Sequence, residues 1–281
     1  MSLVSLVIFI VGIVVLPLIF IRFVNLDSIK KRPSMAAITA AFFVLIGFIA
    51  AFFIFSSALS IVMVAFSSLL LLPFIIKLLE PVKYDVEKEE KRRLYYWFNP
   101  SNISDILKRH NLLIKFYIFL FFGMALEYTL LFAVLSPSLT DVAFQNQLSI
   151  FGPRGDFADL NLFSSIVENN LQIAIISFVF SIFYGAGSIL ILNYTASIVG
   201  VMYGSTFRTI IWGAPVFYTN ILLLLPHTIL EILAYLLAAV AGGILISGLR
   251  RKALEDSIVL FTLSAILIFI AGYVEVTVPF L

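Results

Sequence analysis

Long apolar stretches, separated by charge, proline or short polar runs, organise this chain from end to end. Those at Leu3–Ile21, Ala36–Phe55, Ala58–Leu79, Leu112–Leu135 and Ser257–Val274 each approach the roughly 20 residues that a helix needs to cross a hydrocarbon core. Only Ser56-Ser57 parts the second from the third, so these two are expected to form a tight helical hairpin. Lys115 lies one turn inside the fourth stretch and can snorkel to the interface. The pattern predicts an all-α, polytopic transmembrane bundle.

Two stretches fit no single crossing. Residues 171–203 are too long for one span and contain Gly185, Gly187 and Asn193. They read as two short spans or as a re-entrant pair of half-helices. Ile210–Ile246 is interrupted by Gly213, Pro215 and Pro226. Pro226 suits the first turn of a helix running to Ile246, which leaves Trp212–Leu225 as an interfacial or partial helix. Broken or short helices are therefore expected around 168–205 and 210–226.

The placement of Lys and Arg tests the count, because cytoplasmic loops carry an excess of them. Loop 22–35 holds Arg22, Lys30, Lys31 and Arg32; loop 80–111 holds Lys83, Lys88, Lys91, Arg92, Arg93, Lys108 and Arg109; loop 249–256 holds Arg250, Arg251 and Lys252. Loop 136–167 is slightly acidic, with Asp141, Asp156 and Asp159 against Arg154. Returning 249–256 to the cytoplasmic side requires an odd number of crossings after that loop. Two spans within 171–203 plus one more satisfy this, as does a re-entrant pair plus one. The two-span reading gives about eight spans with both termini outside. The domains expected are a three-helix module at 1–80, a basic and aromatic cytoplasmic loop at 81–111, and a membrane core at 112–281. Within the loop, Glu87–Arg93 reads as a solvated helix and Tyr95-Tyr96-Trp97-Phe98 as an anchor at the headgroups. That loop is expected to lie on anionic lipid, with a dedicated partner site as the alternative.

Composition agrees with a membrane protein: 62% of residues are hydrophobic and 12% charged, against about 45–50% and 25% in soluble domains. The 29 Phe suit lipid-facing helix surfaces. With no Cys, disulfides, a thiol nucleophile and Cys-ligated metal centres are excluded. The first stretch has no basic residue ahead of it and no small-residue cleavage site after it, so it reads as a membrane helix rather than a removed signal peptide. The partners expected are the lipid bilayer and other membrane or envelope proteins. A homo-oligomer is compatible with the sequence, and no nucleic acid is expected.

Ionisable groups within spans cost roughly 2.5–3.5 kcal/mol at a helix centre on insertion scales, so each is a candidate functional residue. They are Glu127, His227, Glu231 and Glu275, joined by the amides Asn169, Asn170 and Asn193; Glu168 fits the interface. His227 and Glu231 share a helix face at i, i+4. That pair fits a structural hydrogen-bonded network, a polar ligand or ion pathway, or a metal or acid–base site. A His-Glu-x-x-His zinc helix would need a second His on the same helix, and His110 is expected on the opposite side. His227, Glu231 and Glu275 remain the candidate metal ligands, and no other cofactor is expected. Gly185-x-Gly187 lacks the third Gly and the strand of a dinucleotide fingerprint. It reads instead, with Gly200, Gly204, Gly242 and Gly243, as allowing close helix packing. Asn193, beside the expected break, reads as a cap for a broken helix.

In order and spacing these residues resemble the stage II sporulation protein M family from Lys115 to the C-terminus. The matches are Asn169-Asn170, Gly185 and Gly187, Asn193 with Gly200, Pro226-His227 through Glu231-Ile232-Leu233-Ala234, Ala241-Gly242-Gly243, and Ala271 through Glu275 with Pro279. Tyr194 departs from the family's Gly after Asn193, and Leu233 from a common Pro. The first 80 residues lie outside this resemblance and look like an added module. The resemblance implies a non-enzymatic role: the sporulation member is a membrane platform for cell-wall hydrolases. A scaffold or assembly factor for a membrane complex is the leading expectation. A transporter or channel built on the mid-membrane polar site, and an intramembrane metal-dependent hydrolase, are the alternatives.

Overall fold

In the computed structural model, residues 31–55, 58–79, 100–150, 162–184, 187–213, 221–247 and 251–277 are described. The expected first span, most of the basic loop, and Pro279 lie outside them. Every element among the described residues is helical. In lipid a helix satisfies each backbone N–H and C=O within its own segment, so an apolar run of this length has little alternative. Numbered in order, the helices are α1 Met35–Ile54, α2 Leu59–Leu79, α3 Pro100–Arg109, α4 Asn111–Val134, α5 Pro137–Ala143, α6 Gln145–Ile150, α7 Leu162–Tyr184, α8 Ser188–Trp212, α9 Ile221–Ile244 and α10 Arg251–Thr277. Six of them are long and apolar enough to cross a membrane, and α2 contributes a shorter apolar stretch from Leu59 to Pro73. The chain is a multi-pass membrane protein.

The stretch 171–203 resolves into two helices of full spanning length, α7 with 23 residues and α8 with 25. Helix α7 ends at Tyr184 and α8 begins at Ser188. Because α7 begins at Leu162, the Asn169-Asn170 pair lies inside the span rather than opening it. At the second irregular stretch, α8 runs on to Trp212 and α9 begins at Ile221, so Pro226 sits within α9 rather than in its first turn. Gly213 ends α8 with φ +63°, a left-handed conformation that suits glycine.

The helices group into two units, each drawn from three chain segments. Among the described residues, the first takes those between 31 and 73, 119 and 150, and 193 and 213, and the second those between 74 and 118, 162 and 192, and 221 and 277. In the first, Phe43, Met63, Leu71, Tyr128, Phe132 and Phe144 form a fully buried core. Gly123 lets α4 and α1 touch: a Cβ there would stand 2.1 Å from the Ala37 carbonyl oxygen. Helices α5 and α6, in a segment expected to be an exterior loop, turn back onto the bundle. Phe144 sets its ring against Phe132 at 5.2 Å and Tyr128 at 6.3 Å.

In the second unit α7, α9 and α10 form the core. Helices α7 and α9 run in the same direction, since Asn170 meets Glu231 and Phe178 lies against Gly242 further along both. Helix α10 runs against them. Its Ser264 hydroxyl donates to the Ala234 carbonyl, and Phe261 and Phe269 meet Phe178 and Phe163. Small residues (Ala174, Ala234, Ala238, Ala241, Ala271) fill the helix interfaces and allow close approach.

Candidate functional site

The polar residues within spans gather into three clusters. The first, in the second unit, is centred on Asn170. Its Nδ2 donates to Glu231 Oε1 at 2.5 Å, and its Oδ1 accepts from the Tyr235 hydroxyl at 2.7 Å. Both ends of the amide are used, so its orientation is set by its neighbours rather than free. Glu231 and Tyr235 are one turn apart on α9, which places them against the same side chain of α7. Glu275, on α10, is close enough to act electrostatically on both Glu231 and Tyr235. Asn169 is exposed, with a long contact of 3.5 Å to Asn170. His227 is buried on α9, with its Nε2 3.4 Å from the Thr228 hydroxyl. Among the described residues, no group of three or more His, Asp or Glu is placed to hold a metal ion, His227, Glu231 and Glu275 included.

The second cluster lies in the first unit. Asn193 is fully buried and shares its two N–H groups among the Ser67 hydroxyl at 2.7 Å, the Ser68 hydroxyl at 2.9 Å and the Val64 carbonyl at 3.0 Å. The cap for a broken helix expected of Asn193 is not its role, because α8 is continuous through it. The amide ties α8 to α2 instead. Ser67 also meets the Tyr128 hydroxyl of α4 at 3.3 Å. One turn further along, Gln147 of α6 accepts from Ser60 at 2.6 Å and donates to Ser197 at 2.8 Å. Glu127 also belongs to this unit, half-buried on α4 and without an ion pair among the described residues.

A chain with these features is placed by comparison with known families. A family model described as stage II sporulation protein M matches residues 40–278. The chain belongs to that family. No curated protein and no solved structure matches it. The family match takes in most of α1 and all of α2, so the sporulation protein M region reaches further toward the N-terminus than the motifs from Lys115 onward. The bonds from Asn193 to α2 thus lie wholly within the matched region.

The third cluster in this family member has no counterpart among the candidates read from sequence. Asp256, near the start of α10, is buried; His110 Nε2 lies 2.8 Å from its Oδ2, and the Arg109 guanidinium pairs with it, Nη2 donating to Oδ1 at 3.4 Å. It fixes the junction of α3 and α4 to the first turns of α10. By sequence Arg109 is one of the basic residues of loop 80–111, and nothing in the spacing of His110 and Asp256, 146 positions apart, links them. Tyr235 was within reach, since it follows Glu231 by four on a helix. Gln147 carried no signal, because its segment read as a loop.

Proposed function

We propose that this member of the stage II sporulation protein M family is a non-enzymatic scaffold or assembly factor for a membrane-associated complex. The observation that carries the reading is the Asn170 amide, held between Glu231 and Tyr235. Asn170 and Glu231 are engaged with each other across helices, which is what a packed platform requires. Asn193 and Gln147 repeat the arrangement in the first unit. Cross-helix hydrogen bonds in membranes average about 0.6 kcal/mol and reach about 1.7, so their use here is to fix register.

On this reading the partners are membrane or envelope proteins, reached through residues 136–167 or 80–111, with a second copy of the chain as a further candidate. Loops 22–35, 80–111 and 249–256 face the cytoplasm and both termini lie outside. The ion pairs from Asp256 to Arg109 and His110 support this, since they hold the ends of two of those loops together.

The test is site-specific photo-crosslinking in native membranes from the exposed positions Asp141, Val142 and Gln145. The scaffold reading expects an adduct with one membrane or envelope protein that co-purifies stoichiometrically. It is overturned if the chain purifies without a partner and, in proteoliposomes, passes an ion or solute at a rate that Glu231→Gln abolishes.

A further inference from the structure

Arg208 lies one turn before the end of α8, on the helix face that packs into the first unit, and only 6% of it is exposed. One guanidinium nitrogen, Nη1, donates to the Phe132 carbonyl at 3.3 Å, and the Phe132 ring lies 5.3 Å from Cζ. The carbonyl is among the last four of α4, which have no partner within their own helix. Capping it explains one N–H of five. It does not explain the charge: ion pairs among the described residues join Arg109 and His110 to Asp256 and Arg251 to Glu255, and none involves Arg208. A buried charge without a countercharge is expensive in any protein and more so within a membrane.

The surroundings indicate what supplies the countercharge. Phe207, Ile210 and Ile211 flank Arg208 and are 54%, 79% and 54% exposed, so this end of α8 presents apolar surface to hydrocarbon. α8 then ends at Trp212, a residue type that favours the headgroup region. An anion that arrives here carries acyl chains. Beyond Nη1, the guanidinium makes no further hydrogen bond among the described residues, and its remaining N–H groups form the planar fork that matches phosphate oxygens.

We propose that Arg208 is the anion-binding group of a phospholipid site, holding the lipid phosphate while the acyl chains lie along Phe207 and Ile211. The site orders one lipid at this end of the first unit.

Native mass spectrometry of the full chain in detergent tests this, with phosphatidylglycerol as the probe. Wild type should retain one more phosphatidylglycerol than Arg208→Gln, with about tenfold or greater difference in the concentration required. Diacylglycerol, which has tails but no phosphate, should not be retained. A second measurement avoids dependence on the folding of the variant. In wild type, modification of Arg208 by phenylglyoxal, read by peptide mass, should be suppressed by phosphatidylglycerol and not by diacylglycerol. Equal retention by wild type and a folded Arg208→Gln, or equal modification with and without lipid, overturns the site. Suppression by millimolar inorganic phosphate as strong as by the lipid overturns the lipid assignment in favour of a free anion.

Discussion

Asn170 and Glu231 meet across the α7–α9 interface, and the same amide is held at its other end by Tyr235. Replacing Asn170 by Leu keeps the volume and removes both bonds, leaving a carboxyl group and a phenol without their partner. Each orphaned group should cost about 1–3 kcal/mol. Tyr235→Phe should cost about 0.5–1.5 kcal/mol. The double variant should lose less than the sum, because both changes break one network. Unfolding in mixed micelles measures all three; an unchanged Asn170→Leu would show that the amide contributes nothing to stability.

Asp256 is the acid on which Arg109 and His110 converge, and it is buried. Asp256→Asn preserves shape and removes the charge from beneath two basic groups. Breaking a buried pair by removing one partner typically costs about 3–5 kcal/mol. The melting temperature should fall accordingly, and hydrogen exchange should rise at the start of α4 and of α10 together. A rise confined to α10 would mean that the ion cluster does not join the two.

Close helix approach can be separated from backbone conformation by two glycines. A Cβ at Gly242 would stand 2.3 Å from the Phe178 carbonyl oxygen, so Gly242→Ala must push α9 from α7. A cost of about 1–3 kcal/mol is expected from overpacking. Gly213 has open space around it but a positive φ. There Asn should be tolerated and Val should not, since Asn enters the left-handed region far more readily. Equal melting of Gly213→Asn and Gly213→Val would refute the conformational argument.

Gln147 is the polar link that holds α6 to α2 and α8. Gln147→Leu should loosen residues 137–150 while leaving the rest of the first unit protected. Amide hydrogen exchange resolved by peptide would detect this as faster exchange in α5 and α6 alone.

Much of the architecture was legible because lipid leaves few options. Apolar runs of spanning length had to be helices, and the requirement for an odd number of crossings made 171–203 either two spans or a re-entrant pair, of which the two-span reading matches α7 and α8. Helix ends were less legible. Glu168 read as interfacial, with Asn169 and Asn170 at the opening of a span, yet α7 begins at Leu162, because buried partners for Asn170 make polar residues acceptable inside a span. Asn193 was recognised as a special position, but its partners Ser67 and Ser68 sit on a helix where serine carries no pattern. Asp256 and Arg208 show the same limit: a charge near a span end looks like interface until tertiary contacts reveal what it faces.

The bond from Asn193 to Ser67 joins residues 126 positions apart. At about 5–20 residues per second of synthesis, the early serine waits about 6–25 s for the amide that completes it. During that interval α1 and α2 are already made, and the hydroxyls of Ser67 and Ser68 rely on their own helix carbonyls, to which they are bonded. The amide arrives with two N–H groups and finds acceptors rather than competing donors. Biogenesis of the first unit can therefore proceed helix by helix, with the late strand of polar contacts locking pieces that were each tolerable alone in the bilayer.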